Sequence, residues 1–256
     1  MTPLEVRFAG HGGDLVRGLF VPASERCDAR APGLVLVHEV FGLDPHIETV
    51  AGRFASEGFA VLTPDLWSRE GLPGPEPTPA EPAPTWTPEE VGAAVRSLPD
   101  RRVLGDLEGA LSWFGKRDDV DWSKLCAVGF CMGGNHAYQL GCTSRRVRCV
   151  VDFYGSLVYA ELSSAKPIQP IELALNLSVP MLAIFGGRDA SIPPEHVQRF
   201  RELLDQAAKH VEFVLYPDAG HGFFNDTRAS WREVDARDAW RRTLAFLRDA
   251  LELDDR

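Results

Sequence analysis

The sequence predicts an α/β fold: a mostly parallel central sheet with helices on both faces, entered through an N-terminal antiparallel hairpin. Three observations carry that reading. From about residue 34 to the C-terminus, short apolar runs of strand length alternate with segments of helical periodicity, the pattern of parallel strands joined by helical crossovers. Ahead of them, residues 4–8 and 15–21 flank the turn Gly10-His11-Gly12-Gly13-Asp14, and the apolar-polar alternation of the first suits a half-exposed strand. A chain of 256 residues with 45% hydrophobic content can bury one sizeable core. One domain over residues 1–256 is expected, without internal repeats.

The elements follow in order. Leu34-Val35-Leu36-Val37-His38 is a continuous apolar run of the kind buried on both faces of a parallel sheet. Residues 46–58 place Ile47, Val50, Ala51 and Phe54 on one helical face and end at Gly58, a suitable C-terminal cap. Residues 59–64 form the next strand. Residues 71–88 are dominated by proline and contain Glu76 and Glu81 but no Lys or Arg, so an extended surface excursion is expected there, a lid or a crossover. Leu104, Leu107, Leu111 and Phe114 make residues 103–116 an amphipathic helix despite Gly105 and Gly109. It leads into a strand at 124–128 and a helix opening near Gly134. Further strands are expected at 147–153, 179–185 and 211–216, with helices at 194–208 and 233–251.

Charge and cysteine usage narrow the function. The formal net charge of −10 disfavours nonspecific binding to nucleic acid or to an anionic membrane, both of which reward a positive surface. Cys27, Cys126, Cys131, Cys142 and Cys149 are odd in number and lack CxxC spacing, so neither a disulfide framework nor a zinc site is indicated. No metal or organic cofactor is expected. No stretch approaches the roughly 20 apolar residues of a membrane span, and the N-terminus lacks a secretory pattern. A soluble cytoplasmic protein is the expectation, with its oligomeric state open.

The chemistry centres on Val128-Gly129-Phe130-Cys131-Met132-Gly133-Gly134. A nucleophile between glycines at a strand-to-helix junction occupies a strained backbone that pushes its side chain out of the fold. The amide of Met132 is then free to donate to an oxyanion, and the helix N-terminus adds partial positive charge. Asp189, after Gly186-Gly187-Arg188, and His221, between Gly220 and Gly222, each follow a predicted strand, where functional loops of such sheets gather. Asp189 alone reads more readily as a turn or helix cap, and His221 alone reads equally as an ordinary loop histidine. Nucleophile, then acid, then histidine is, however, the chain order of the α/β-hydrolase arrangement. In that reading His221 takes the thiol proton, Cys131 attacks a carbonyl carbon and Asp189 orients the imidazole. A second oxyanion donor is expected from the Glu39-Val40-Phe41 loop, at Val40.

Taken together, His38-Glu39-Val40-Phe41-Gly42-Leu43, Pro64-Asp65-Leu66, Gly105-Asp106-Leu107-Glu108, Gly129-Phe130-Cys131-Met132-Gly133-Gly134 and Gly220-His221-Gly222-Phe223 resemble the dienelactone hydrolase family. The resemblance spans most of the chain and implies an α/β-hydrolase fold and cleavage of a carboxylic ester or lactone. It also implies that Glu39 contacts the resting thiol and couples thiolate formation to substrate binding. Family members acting on dienelactone hold its carboxylate with two arginines, one before the helix matching Gly105 and one shortly after the histidine. Here residues 70–95 contain no Lys or Arg, and after His221 the first arginine is Arg228. Arg96, Arg101, Arg102 and Arg228 are the candidates to take their place, with solvated surface positions the favoured reading, and the substrate stays open between dienelactone, another ester and a thioester. Two other classes are compatible with the residues: a hydrolase fold that binds a small molecule without turnover, and redox sensing by Cys131.

Overall fold

The structure, a computed structural model, describes residues 3–24, 30–69 and 86–253. β1 (Leu4–Ala9) and β2 (Leu15–Val21) form the expected antiparallel hairpin, and β2 continues antiparallel against β4 (Ala60–Pro64). Every later pairing is parallel: β4 with β3 (Ala31–Val37), then β3 with β5 (Val120–Phe130), followed by β6 (Cys149–Phe153), β7 (Met181–Gly186) and β8 (Val211–Tyr216). All seven residues of β3 are buried, as are all of β4, β6 and β7. Continuous apolar runs form these strands because helices cover the sheet on both sides.

The helices are α1 (Pro45–Ser56), α2 (Pro88–Ser97), α3 (Asp100–Phe114), α4 (Met132–Thr143), α5 (Pro194–Gln206) and α6 (Glu233–Ala250). Phe54 of α1 meets Trp240 of α6 at 4.5 Å between ring centroids, while Tyr138 of α4 meets Phe200 of α5 at 5.0 Å. Phe54 and Phe200 are fully buried, each worth about 1.5–3 kcal/mol of transfer free energy. Among the described residues no helix is long and apolar enough to cross a membrane.

Two sequence expectations change. Residues 71–85 of the proline-rich excursion lie outside the described residues, but its end does not extend through residue 88: Pro88 is the first residue of α2, an element that periodicity did not suggest. Thr87 caps that helix, with its Oγ1 accepting from Glu90 N–H and the Glu90 carboxylate accepting from Thr87 N–H. The strand at 124–128 also proves longer, running from Val120 to Phe130.

From β3 the chain crosses to β4 on one side and later returns to β5 on the other. This reversal leaves a crevice beyond the carboxyl ends of β3 and β5, where ligands bind in open α/β sheets.

Candidate active site

Beyond β5 the chain turns into α4 through Cys131, whose backbone sits at φ 54°, ψ −118°, a region that residues with side chains avoid. Two bonds hold it there. Its N–H donates to the Phe153 carbonyl on β6 at 2.9 Å, and its carbonyl accepts from Asn135 N–H at 3.2 Å, one helical turn on. Glycines give this turn its room. A Cβ at Gly129 would collide with the Gly133 carbonyl, and one at Gly133 with the carbonyls of Val37 and His38. The thiol therefore stands at the N-terminus of α4, where the helix contributes partial positive charge.

The structure brings Asp189 and His221 to this thiol from the loops after β7 and β8. His221 Nδ1–H donates to Asp189 Oδ2 at 2.8 Å, and Nε2 lies 3.0 Å from Cys131 Sγ. The other carboxylate oxygen of Asp189 accepts from Ser191 N–H at 2.8 Å and Ile192 N–H at 3.2 Å. Orienting the histidine and closing a turn are thus both roles of this one side chain. Phe224, just beyond His221, packs against Phe130 and Phe153 with centroids 5.1 and 5.0 Å away, which anchors the histidine loop to the strands under the elbow. Burial alone would lower the pKa of His221. The charge on Cys131 and the bond to Asp189 outweigh it and hold the imidazolium well above the ordinary histidine range.

The Glu39-Val40-Phe41 loop is held by a residue that sequence reasoning did not assign. His38 is fully buried; its Nδ1 contacts the Glu39 carbonyl at 2.5 Å while its Nε2 accepts from Leu66 N–H at 3.1 Å. Accepting at Nε2 requires the proton on Nδ1, so Nδ1–H donates. Burial lowers the pKa of His38 and favours that neutral form. Because the Glu39–Val40 peptide is planar and trans, pinning its carbonyl also aims the Val40 N–H in the opposite direction. The Val40 carbonyl accepts from Trp67 Nε1 at 3.0 Å, a second restraint. Both Val40 and Met132 line the same cavity as Cys131.

Glu39 is buried as well, and its carboxylate is engaged away from the thiol. Oε2 accepts from Asn225 Nδ2 at 2.8 Å, Oε1 accepts from the Tyr154 hydroxyl at 3.4 Å, and Arg228 Nε approaches to 3.9 Å. Among the described residues Cys131 Sγ pairs with His221 instead. Tyr154 adopts φ 44° and sets its ring 5.1 Å from the His221 imidazole, so one residue connects Glu39 with the histidine.

The cavity over Cys131 measures about 400 Å³ and is roofed by Pro88, Val91 and Val95 of α2. Arg96, an exposed residue, and the half-buried Arg228 both line it; Arg101 is exposed and Arg102 does not line it. Sequence could not place them because α2 was not recognised, and because the folded chain lays the Arg228 guanidinium over the Phe41 ring, 3.7 Å from its centroid.

Comparison with known proteins identifies the family. The dienelactone hydrolase family model matches residues 19–251. A protein of Escherichia coli K12 named "Putative carboxymethylenebutenolidase" is 33% identical over 251 residues, covering 96% of this chain and 89% of its own length. Its namesake in Salmonella typhimurium is 36% identical over 219 residues, covering 86% and 77% respectively. A crystal structure from Klebsiella pneumoniae, titled as a dienelactone hydrolase of putative status, superposes with a TM-score of 0.84 at 30% identity, covering 96% of this chain and 99% of that one. With the family matched over nearly its whole length and the sheet order and loop placement to accompany it, the chain belongs to the dienelactone hydrolase family and is a carboxylic ester hydrolase with an α/β-hydrolase fold.

Proposed function

We propose that this enzyme cleaves a small carboxylic ester or lactone through a thioester on Cys131, with His221 and Asp189 completing the triad. The observation that carries the reading is the continuous relay from Asp189 Oδ2 through His221 to Cys131 Sγ, with contacts of 2.8 and 3.0 Å, at a strained elbow opening on a cavity. His221 Nε2 takes the thiol proton to form a thiolate–imidazolium pair, and the thiolate sulfur attacks the carbonyl carbon. The amides of Val40 and Met132 hold the oxyanion. As the C–O bond breaks, His221 returns the proton to the leaving oxygen; in a lactone that oxygen stays tethered to the acyl group. Water, deprotonated by His221, then hydrolyses the thioester and releases the acid and the thiol.

A substrate bearing a carboxylate fits the cavity best, since Arg96 and Arg228 reach it from two separate elements. Arg228 also connects that end of the cavity with Glu39. A substrate carboxylate that engages Arg228 weakens its hold on Glu39, and this is the route by which Glu39 senses occupancy. Dienelactone is the named substrate. Steady-state comparison of dienelactone, simple aryl esters and thioesters tests the reading, with kcat/KM expected to be highest for the anionic lactone. Full turnover by Cys131→Ala and His221→Ala, or failure on all three substrate classes, contradicts it.

A further inference from the structure

A second polar cluster opens on the same cavity. Lys166 is 1% exposed, and its Nζ donates to Asp100 Oδ1 at 2.5 Å. Asp100, at the start of α3, also accepts from the Tyr159 hydroxyl at 3.0 Å and from His136 Nε2 at 3.1 Å. Tyr159 in turn accepts from Asn135 Nδ2 at 2.8 Å and Gln139 Nε2 at 3.0 Å, while Asn135 Oδ1 accepts from Gln139 Nε2 at 2.9 Å.

Counting donors and acceptors shows what this cluster lacks. The Tyr159 oxygen has two lone pairs and one proton, and all three are used. The Asn135 carbonyl accepts one bond and keeps one lone pair. Lys166 Nζ also lies over the Tyr159 ring, 5.1 Å from its centroid, but two of its three N–H groups and one Asn135 amide N–H have no hydrogen-bond acceptor among the described residues. Lys166, Asn135 and Tyr159 all line the cavity that contains Cys131, and Asn135 stands one turn along α4 from the nucleophile. Buried donors without acceptors are costly, so this wall of the cavity is donor-rich. It is not, however, positively charged: the Asp100 carboxylate cancels the Lys166 ammonium, and burial keeps His136 neutral. An uncharged acceptor suits it better than a second anion.

We propose that Lys166 and Asn135 form a specificity subsite for an uncharged oxygen of the substrate, such as a ketone, remote from the scissile bond. The proposal rests on the ester-hydrolase reading. The test compares ester pairs that differ by one such oxygen, on either side of the scissile bond: nitrophenyl levulinate against nitrophenyl pentanoate, and the acetates of para-acetonylphenol and para-propylphenol. Nitrophenyl hemisuccinate supplies a charged arm. The full-length protein is expected to favour the ketone member of one pair by about tenfold in kcat/KM, the range of a hydrogen bond to a charged donor. Lys166→Met should bring that ratio to within about twofold of unity. Because this variant strands Asp100, the charge-balanced pair Asp100→Asn/Lys166→Met is measured beside it, with circular dichroism to verify the fold.

No ketone preference in either pair overturns the subsite, as does a preference that survives in the folded double variant. A hemisuccinate preference abolished by Lys166→Met would assign the wall to anions and equally overturn it. If no ester is hydrolysed, it is the hydrolase reading that fails. The subsite is then decided by calorimetric binding of para-acetonylphenol against para-propylphenol, where equal affinities overturn it.

Discussion

Removing the His38 imidazole frees the Glu39–Val40 peptide to rotate, and the Val40 N–H, the proposed oxyanion donor, then loses the direction that the pinned carbonyl gives it. His38→Ala is expected to lower kcat about tenfold to a hundredfold while changing KM little, since an oxyanion donor acts mainly in the transition state. Steady-state kinetics on an aryl ester reads this directly, and His38→Asn, which keeps a side-chain donor, should recover part of the loss. Asp152 shows a different effect of burial. It lies wholly inside, with Oδ1 accepting from Gly155 N–H at 2.7 Å and Oδ2 unpartnered among the described residues. Burial pushes its carboxyl up to about 7, against the pull of the Gly155 bond and of His221. Since the folded-state pKa is the raised one, the folded protein binds more protons than the unfolded chain between about pH 4 and 7, and stability falls as pH rises through that window. Asp152→Asn removes the dependence. Across the window the wild type should lose on the order of 4 kcal/mol relative to the variant, measured by urea denaturation.

At the scale of elements, β5, the elbow and α4 are built on close backbone approach. Gly133→Ala would drive a methyl group into the carbonyls of Val37 and His38, and neither backbone can retreat without unpairing β3 from β5. A loss of about 2–3 kcal/mol, or failure to fold, is expected from chemical denaturation. This region was legible in the sequence because its signals are local: a short apolar strand, glycines at fixed spacing and a helix. The loops carrying Asp189 and His221 were legible for the same reason, each following an apolar run. Helix α2 was not, although Thr87-Pro88-Glu89-Glu90 is itself a capping signal, because it closes a proline-rich stretch that reads as non-helical. Pairings made by tertiary structure left no local trace. Lys166 and Asp100 lie 66 residues apart, while Glu39 finds Tyr154 at 115 and Asn225 at 186 residues' distance. Periodicity and spacing carry no information at that range.

Across the whole molecule, an acidic chain of net charge −10 places Arg96 and Arg228 in the cavity that holds Cys131. The overall charge repels anions at distance, whereas the two guanidinium groups attract a carboxylate at contact. Replacing both by glutamine should reduce the kcat/KM ratio of an anionic ester to its neutral counterpart by about tenfold, the scale of a charge-assisted hydrogen bond. An unchanged ratio would leave the carboxylate without these partners. The central claim, covalent catalysis at Cys131, is tested most directly by intact-protein mass spectrometry after rapid mixing with an aryl ester whose acyl group hydrolyses slowly. The account predicts a transient single acyl adduct on Cys131 that decays with turnover and is absent in Cys131→Ala. Ester hydrolysis at the wild-type rate with no adduct, or with an adduct that persists in Cys131→Ala, would contradict it.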